Sequence, residues 1–324
     1  MLAYVIRRVL YVIPVVLGVA LITFTLFHIV GAETAPALIL GKNATPQAIT
    51  ELKKQLGLWG PLFLNWDAWR ESGSVPALFD SQFGHYLKQI VTFDFGRSWA
   101  TQQKISTLIL AGVLPSLSLT VPIFVIDLLL AIAIALVAAF YRNTWLDRSI
   151  VVLAVMGMSV SYLVYILLGQ YLLAYRLELF PIWGYEAVRY LVLPVVIGVI
   201  SGLGSGVRFY RTVMLDEVYQ DYVRTAFAKG QTERAVLFRH VLKNAMIPIL
   251  TSVVLSIPFL YTGNLLLENF FGIPGLGYLS IEAINSSDFP VIKAVVFVGS
   301  ILYVLATLVT DICYALVDPR IKLR

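Results

Sequence analysis

Residues 117–140 read LSLTVPIFVIDLLLAIAIALVAAF. Across this run only Asp127 bears a formal charge. A helix rises 1.5 Å per residue and the hydrocarbon core of a bilayer is about 30 Å thick, so roughly 20 such residues cross it. Five further runs have the same character: Val9–Val30, Ile150–Tyr175, Tyr190–Val207, Ile249–Leu267 and Val291–Val317. Lys293 and Asp311 bring the only other formal charges into these six. Unpaired backbone groups are too costly in lipid, so each span is read as a helix. The expected fold is an all-α membrane protein with six transmembrane helices.

Composition agrees. The 324 residues are 59% hydrophobic and 13% charged, against about 45–50% and about 25% for a soluble domain. Disorder is excluded as well, since it needs low hydrophobicity and high charge. Cys313 is the single cysteine and has no internal disulfide partner. With His28, His85 and His240 scattered along the chain, no metal site is expected. The first span is too long for a signal-peptide core and reads as a retained anchor.

The net charge of +5 follows topology. Short segments on one side hold Arg7, Arg8, Arg142, Arg148, Arg208, Arg211, Arg224, Lys229, Arg234, Arg239 and Lys243. Arg320, Lys322 and Arg324 join them, so both termini are expected in the cytoplasm. Residues 1–8 and 318–324 then form cytoplasmic ends, and residues 31–112 an external segment. No nucleic-acid partner is implied.

Two hydrophilic regions stand out. In the external segment, Thr45-Pro46-Gln47 predicts a helix start, and Ala48–Leu56 a short helix ended by Gly57. The tryptophans Trp59, Trp66, Trp69 and Trp99 suit interfacial anchors. The inside loop of residues 208–244 is too long for a bare connection. Its pattern predicts a helix over Asp216–Lys229, with Asp216 and Glu217 at the positive end. Gly230 breaks it, and Thr232 caps a second helix over Glu233–Asn244. At 100° per residue Ala235, Leu237, Phe238, Val241 and Leu242 share one side of it, and Val236 and Arg234 break the pattern. Such helices either lie in the lipid interface or dock in a groove of a cytoplasmic partner. In the fourth span, Gly198, Gly202 and Gly206 permit close helix packing.

Catalytic motifs are missing: there is no GxxxxGK[ST], HExxH or GxSxG. Asp127 and Asp311 are intramembrane carboxylates, and such groups are functional hypotheses by default. A membrane-embedded hydrolase using Asp127 and Asp311 is therefore the alternative function. A stand-alone channel is a third.

The inside loop reads Asp221-Tyr222-Val223-Arg224-Thr225-Ala226-Phe227-Ala228-Lys229-Gly230, then Arg239-His240-Val241-Leu242-Lys243-Asn244-Ala245-Met246-Ile247-Pro248. It resembles the EAA-type loop of ABC importer permeases, in the variant of the peptide/nickel class of dipeptide and oligopeptide permeases. Ile6-Arg7-Arg8, Phe93-Asp94-Phe95-Gly96-Arg97-Ser98 and Leu114-Pro115-Ser116-Leu117-Ser118-Leu119 are similar to that class too. So are Pro274-Gly275-Leu276-Gly277, Ser287-Asp288-Phe289-Pro290-Val291 and Val317-Asp318-Pro319-Arg320.

The resemblance implies a type I ABC importer permease fold, with residues 113–317 as the permease core. It implies a non-catalytic transmembrane subunit, in the inner (plasma) membrane of a prokaryote, for peptides or similar small solutes. The implied partners are a homologous second permease subunit, two ATP-binding subunits, an external solute-binding protein and membrane lipids. No cofactor is expected in this chain, and ATP with Mg belongs to the partner subunits. Coupling to the ATPase would fall to Asp221, Arg224, Thr225, Ala226, Gly230, Arg234, Arg239 and His240. Asp94, Gly96, Ser98, Asn264 and Glu268 are candidates for the path or an external contact.

Overall fold

A computed structural model describes residues 2–40, 45–55, 60–260 and 263–317. Its helices are α1 (Leu2–Leu40), α2 (Pro46–Gln55), α3 (Trp66–Ser72), α4 (Val75–Leu78), α5 (Gln82–Thr92), α6 (Ile105–Phe140), α7 (Trp145–Ser159) and α8 (Tyr162–Gly169). There follow α9 (Val188–Val218), α10 (Asp221–Ala228), α11 (Glu233–Val236), α12 (Leu242–Leu260), α13 (Leu265–Phe271), α14 (Leu276–Asn285) and α15 (Phe289–Val317). Gly57, Trp59 and the tail from Asp318 lie outside the described residues, as do the side chains of His28, Asp311 and Cys313.

Among the described residues, five stretches are long and apolar enough to cross a membrane: Ile6–Phe27, Ile105–Phe140, Val188–Val218, Glu233–Ile257 and Phe289–Thr310. The sixth is a bent pair, Trp145–Ser159 and Tyr162–Arg176, with 89° between its halves. The sequence predicted a single helix there. Val160 and Ser161 adopt extended backbone and break it. Tyr165 Oη donates to the Gly157 carbonyl at 2.9 Å, satisfying an acceptor at the break. That is how broken helices are tolerated at depth.

The chain divides into two compact units, residues 1–112 with 279–324, and residues 113–278. In the first, α1 packs along α15. Phe24 is buried and meets Phe63, Phe83 and Tyr86 at centroid distances of 5.6, 5.1 and 5.8 Å. The turn at Ser98 is held by Asp288, just before α15. Asp288 Oδ2 accepts from Ser98 Oγ at 2.5 Å and from Ala100 N at 3.2 Å, and its Oδ1 accepts from Trp99 N at 3.2 Å. Ser98 and Asp288 are both buried. Ser98, a candidate for the path or an external contact, spends its hydroxyl inside this turn.

In the second unit, α9 packs against α7 and α12. The glycines on α9 set these distances. A Cβ on Gly198 would lie 2.5 Å from Ile123 Cδ1 of α6, and one on Gly204 would lie 2.6 Å from the Ala154 carbonyl oxygen of α7. Only residues without side chains allow that approach. Gly202 lies beside the Asp127 carboxyl, and a Cβ on Gly206 would lie 2.9 Å from Ala131 Cβ of α6.

Glu268 is wholly buried and organises the Pro274-Gly275-Leu276-Gly277 turn. Its Oε1 accepts from Ser116 Oγ at 2.8 Å and Asn264 N at 3.0 Å. Its Oε2 accepts from Gly277 N at 2.7 Å and Tyr278 N at 3.1 Å. A buried charge persists only when so satisfied. Gly263 has φ +75°, and a Cβ there would lie 2.5 Å from Glu268 Oε1. Asn264 caps α13 through Leu267 N at 3.1 Å and donates to Tyr162 Oη at 2.7 Å. Asn264 and Glu268 are therefore hydrogen-bonded within their own unit.

At the loop end of this unit, Arg211 of α9 grips Asp147 of α7. Nε reaches Oδ1 at 2.6 Å and Nη2 reaches Oδ2 at 2.8 Å. Asp147 Oδ2 also accepts from Asn143 N at 3.1 Å, closing the turn between α6 and α7.

Two stability outcomes follow. Glu268→Gln presents an amide to two N–H donors, and each unsatisfied buried donor costs about 1–3 kcal/mol. Its thermal midpoint, measured in detergent, should fall further than that of Ser116→Ala; an unchanged midpoint contradicts the arrangement. Removing one partner of a buried ion pair costs about 3–5 kcal/mol and this pair is partly exposed, so Arg211→Ala should cost somewhat less. Thermal unfolding of Arg211→Ala beside Arg211→Lys checks this, since lysine cannot reproduce the two-pronged contact.

Candidate coupling site

The candidate coupling region begins where α9 ends. Tyr210, Met214 and Val218 are buried at four-residue spacing, and this continuous face carries α9 as far as Val218. Asp216 and Glu217 thus sit in the last turn of α9, not at the start of a new helix as the sequence suggested. A turn at Tyr219 and Gln220 follows, and α10 starts at Asp221. Tyr222 Oη donates to the Glu217 carboxylate across this turn. Burial and that bond push the Tyr222 phenol up to about 12, so it stays a donor at physiological pH.

α10 has two faces. Val223 and Ala226 are buried and share one core with Val218, Val236, Leu237 and Val241, against which Phe140 packs. Asp221, Arg224, Thr225, Ala228 and Lys229 are exposed, and Phe227 keeps 39% of its surface in the open. Ala226, expected to serve in the coupling turn with Thr225 and Gly230, points into the protein's own core. Arg224 Nη1 lies 3.4 Å from Asp221 Oδ1, with both side chains more than three-quarters exposed. Exposed pairs of this kind contribute about 0–1 kcal/mol, so they leave the charges open to other partners.

Gly230 turns the chain with φ +78°, and nothing lies within 4 Å of where its Cβ would be. The requirement is conformational, since left-handed backbone is costly for other residues. Gln231 Oε1 meets His240 Nε2 at 2.9 Å and ties this turn to the next helix. Thr232 Oγ1 accepts from Ala235 N at 3.4 Å and caps α11.

The second helix was expected to be short and separate. It runs instead from Glu233 to Ile257 as one span, through a π-helical stretch at Leu237–Val241. Pro248 lies inside this span and does not end it. The wider turn rotates the register, so Val236 and Leu237 are both buried while Ala235 and Phe238 are exposed. This resolves the anomaly at Val236 and corrects the face assigned from 3.6-residue periodicity. Phe238, 58% exposed, is a surface residue that simple periodicity missed. Arg234 and Arg239 are exposed and His240 is half-buried. Arg142 Nη1 approaches Glu233 Oε1 at 3.8 Å, linking the α6–α7 turn to the start of α11.

Of the external candidates, Asp94 is exposed and accepts from Gly96 N at 3.3 Å, and Gly96 has φ +78°. Asp127 lies beside Gly202 and Gly206, and its Oδ1 is buried without a hydrogen-bond partner. No group of three or more His, Cys, Asp or Glu that could hold a metal occurs among the described residues.

Comparison with known proteins shows the family of the chain. The family model "Binding-protein-dependent transport system inner membrane component" matches residues 131–323, and its N-terminal companion matches residues 1–120. The dipeptide transport system permease protein DppB of Alkalihalophilus pseudofirmus is 32% identical over 99% of this chain and 100% of its own. The glutathione transport system permease protein GsiC of Salmonella typhimurium is 35% identical, over 99% of each chain. GsiC of Escherichia coli K12 is 33% identical with the same coverage. These likenesses give no support to a hydrolase built on Asp127 and Asp311. ATP-hydrolysing and solute-binding partners are general to such importers. The chain belongs to the binding-protein-dependent transport system inner membrane component family: it is a non-catalytic, inner-membrane permease subunit of an ABC importer.

Proposed function

We propose that this chain forms half of the path for peptides or similar small solutes, and that α10 with the Gly230 turn carries the ATPase stroke into the membrane. The two-faced build of α10 carries this reading. Its buried side shares a core with the ends of α6, α9 and α12, while its outer side offers Asp221, Arg224, Thr225 and Phe227. A short helix with a fixed inner face and a polar, aromatic outer face suits docking in a groove. Arg234 and Arg239 extend that surface toward acidic groups or lipid phosphates, while half-buried His240 steadies the turn. The cargo reading draws on relatives named for dipeptide and glutathione transport, both short amide-linked molecules.

The same reading assigns a similar but different second permease, two ATP-binding subunits that hold ATP and Mg, and an external solute-binding protein. Asp94 is the external contact that remains exposed. The arginine-rich segments support cytoplasmic termini. Moving a two-state permease from 1:99 to 99:1 takes about 5.5 kcal/mol of differential affinity. ATP binds elsewhere, so that preference has to arrive mechanically through the docked helix.

Gly230→Val places a β-branched residue in left-handed backbone, a strain of about 1–3 kcal/mol. ATP-driven uptake by the complete importer in proteoliposomes should fall about tenfold, with insertion unchanged. Gly230→Asn, which tolerates that conformation, should retain most uptake. Normal transport by both variants refutes the assignment. Charge reversal at Arg224 with Glu should weaken co-purification of the ATP-binding subunits, and unaltered recovery would remove Arg224 from the docking face.

A further inference from the structure

Asp127 stands near the middle of residues 117–140, in the second unit, and neither the fold nor the coupling site uses it. Three glycines of α9 meet three residues of α6 in matched steps of four. A Cβ on Gly198 would lie 2.5 Å from Ile123 Cδ1, one on Gly202 3.3 Å from Asp127 Oδ1, and one on Gly206 2.9 Å from Ala131 Cβ. Asp127 is thus held in the seam between two spans, apart from its exposed neighbours Val125, Ile126, Leu129 and Leu130. The third span, α12, touches both walls. Its Leu260 carbonyl accepts from Thr120 Oγ1 of α6 at 2.5 Å, and its Ser252 Oγ lies 3.4 Å from Tyr210 Oη of α9. The carboxyl is half-buried where these spans converge, and its Oδ1 has no hydrogen-bond partner among the described residues. Resting on the transport function proposed for the chain, we propose that Asp127 receives the ammonium group of the cargo midway along the path.

The surrounding chemistry selects a cation that is rich in donors. Hydroxyls on the adjoining turns donate within their own helices. On α9, Ser201 Oγ and Ser205 Oγ donate to the Gly198 and Gly202 carbonyls at 2.9 and 2.8 Å. On α12, Ser252 Oγ and Ser256 Oγ donate to the Ile249 and Ser252 carbonyls, both at 2.8 Å. These serines therefore offer a ligand lone pairs alone. An anion finds no donor in them, whereas an ammonium brings three N–H donors and no acceptor. A metal ion would need further anionic ligands, and no group of three His, Cys, Asp or Glu stands together among the described residues. A carboxylate at membrane depth is costly unless its charge is met, and such groups mark substrate pathways. Dipeptides and glutathione, for which the relatives are named, each carry a free α-ammonium.

The test compares two cargoes in proteoliposomes that hold the complete importer and its solute-binding protein. One is alanyl-alanine; the other is lactyl-alanine, in which a hydroxyl replaces the ammonium. Relative to wild type, Asp127→Asn should lower ATP-driven uptake of alanyl-alanine about tenfold and of lactyl-alanine less than about twofold, since one charge-assisted hydrogen bond is lost. Asp127→Glu should recover much of the alanyl-alanine uptake. The thermal midpoint of Asp127→Asn in detergent should hold or rise, because an uncompensated carboxylate has been removed. Should wild type refuse lactyl-alanine, the midpoint and the glutamate rescue decide. Equal loss of both cargoes, a lowered midpoint or undiminished alanyl-alanine uptake overturns the assignment and leaves the transport reading standing. Wild type that imports neither cargo fails the transport reading, and the assignment falls with it.

Discussion

The short helix α10 cannot move alone. Val223 and Ala226 of α10 are buried in the same core as Val218 of α9, Val236 and Leu237 beside α11, and Val241 leading into α12. Packed interiors resist continuous deformation and shift as units. Displacement of α10 therefore drags the inner ends of α9 and α12, which are membrane spans in their own right. The Arg211–Asp147 pair extends the unit to α7, and the Arg142–Glu233 contact draws in the turn after α6. A mechanical signal needs such a body, and a loosely tethered amphipathic helix would dissipate it.

The same economy appears at two buried carboxylates, one in each unit. Glu268 takes four donors and Asp288 takes three, each joining segments far apart in sequence. In an apolar surrounding these satisfied carboxylates act as fixed nodes, because breaking any one bond exposes a donor with no water to replace it. The glycines around Glu268 leave room for its oxygens, which gives the Pro274–Gly277 turn a physical reason. Asp127 is the contrast: its Oδ1 is buried without a hydrogen-bond partner.

Much of this was legible in the sequence because hydrophobicity at membrane scale is a strong signal. The spans, the glycine stripe of the fourth span and the existence of two helical segments around Gly230 all follow from local pattern. What was hidden depended on partners distant along the chain. Ser98, Asn264 and Glu268 look like free polar groups until Asp288, Tyr162 and the Gly277 backbone are brought to them. The π-helical turn at Leu237–Val241 was hidden for another reason. Periodicity assumes 3.6 residues per turn, and Val236, which fell off that pattern, was the one visible trace of the wider turn. The 89° break in the third span has no proline to announce it; only the serines flanking Val160 hint at competing backbone bonds.

The claim that α10 and the inner end of α12 move as one body can be measured as a distance. Spin labels at Ala228→Cys and Lys243→Cys, both exposed positions, report it by pulsed electron resonance in the complete importer. The account predicts one narrow distance distribution that is the same without nucleotide and with ATP trapped. A distribution that broadens or shifts on ATP binding, while transport remains intact, would show that α10 moves independently and would contradict it.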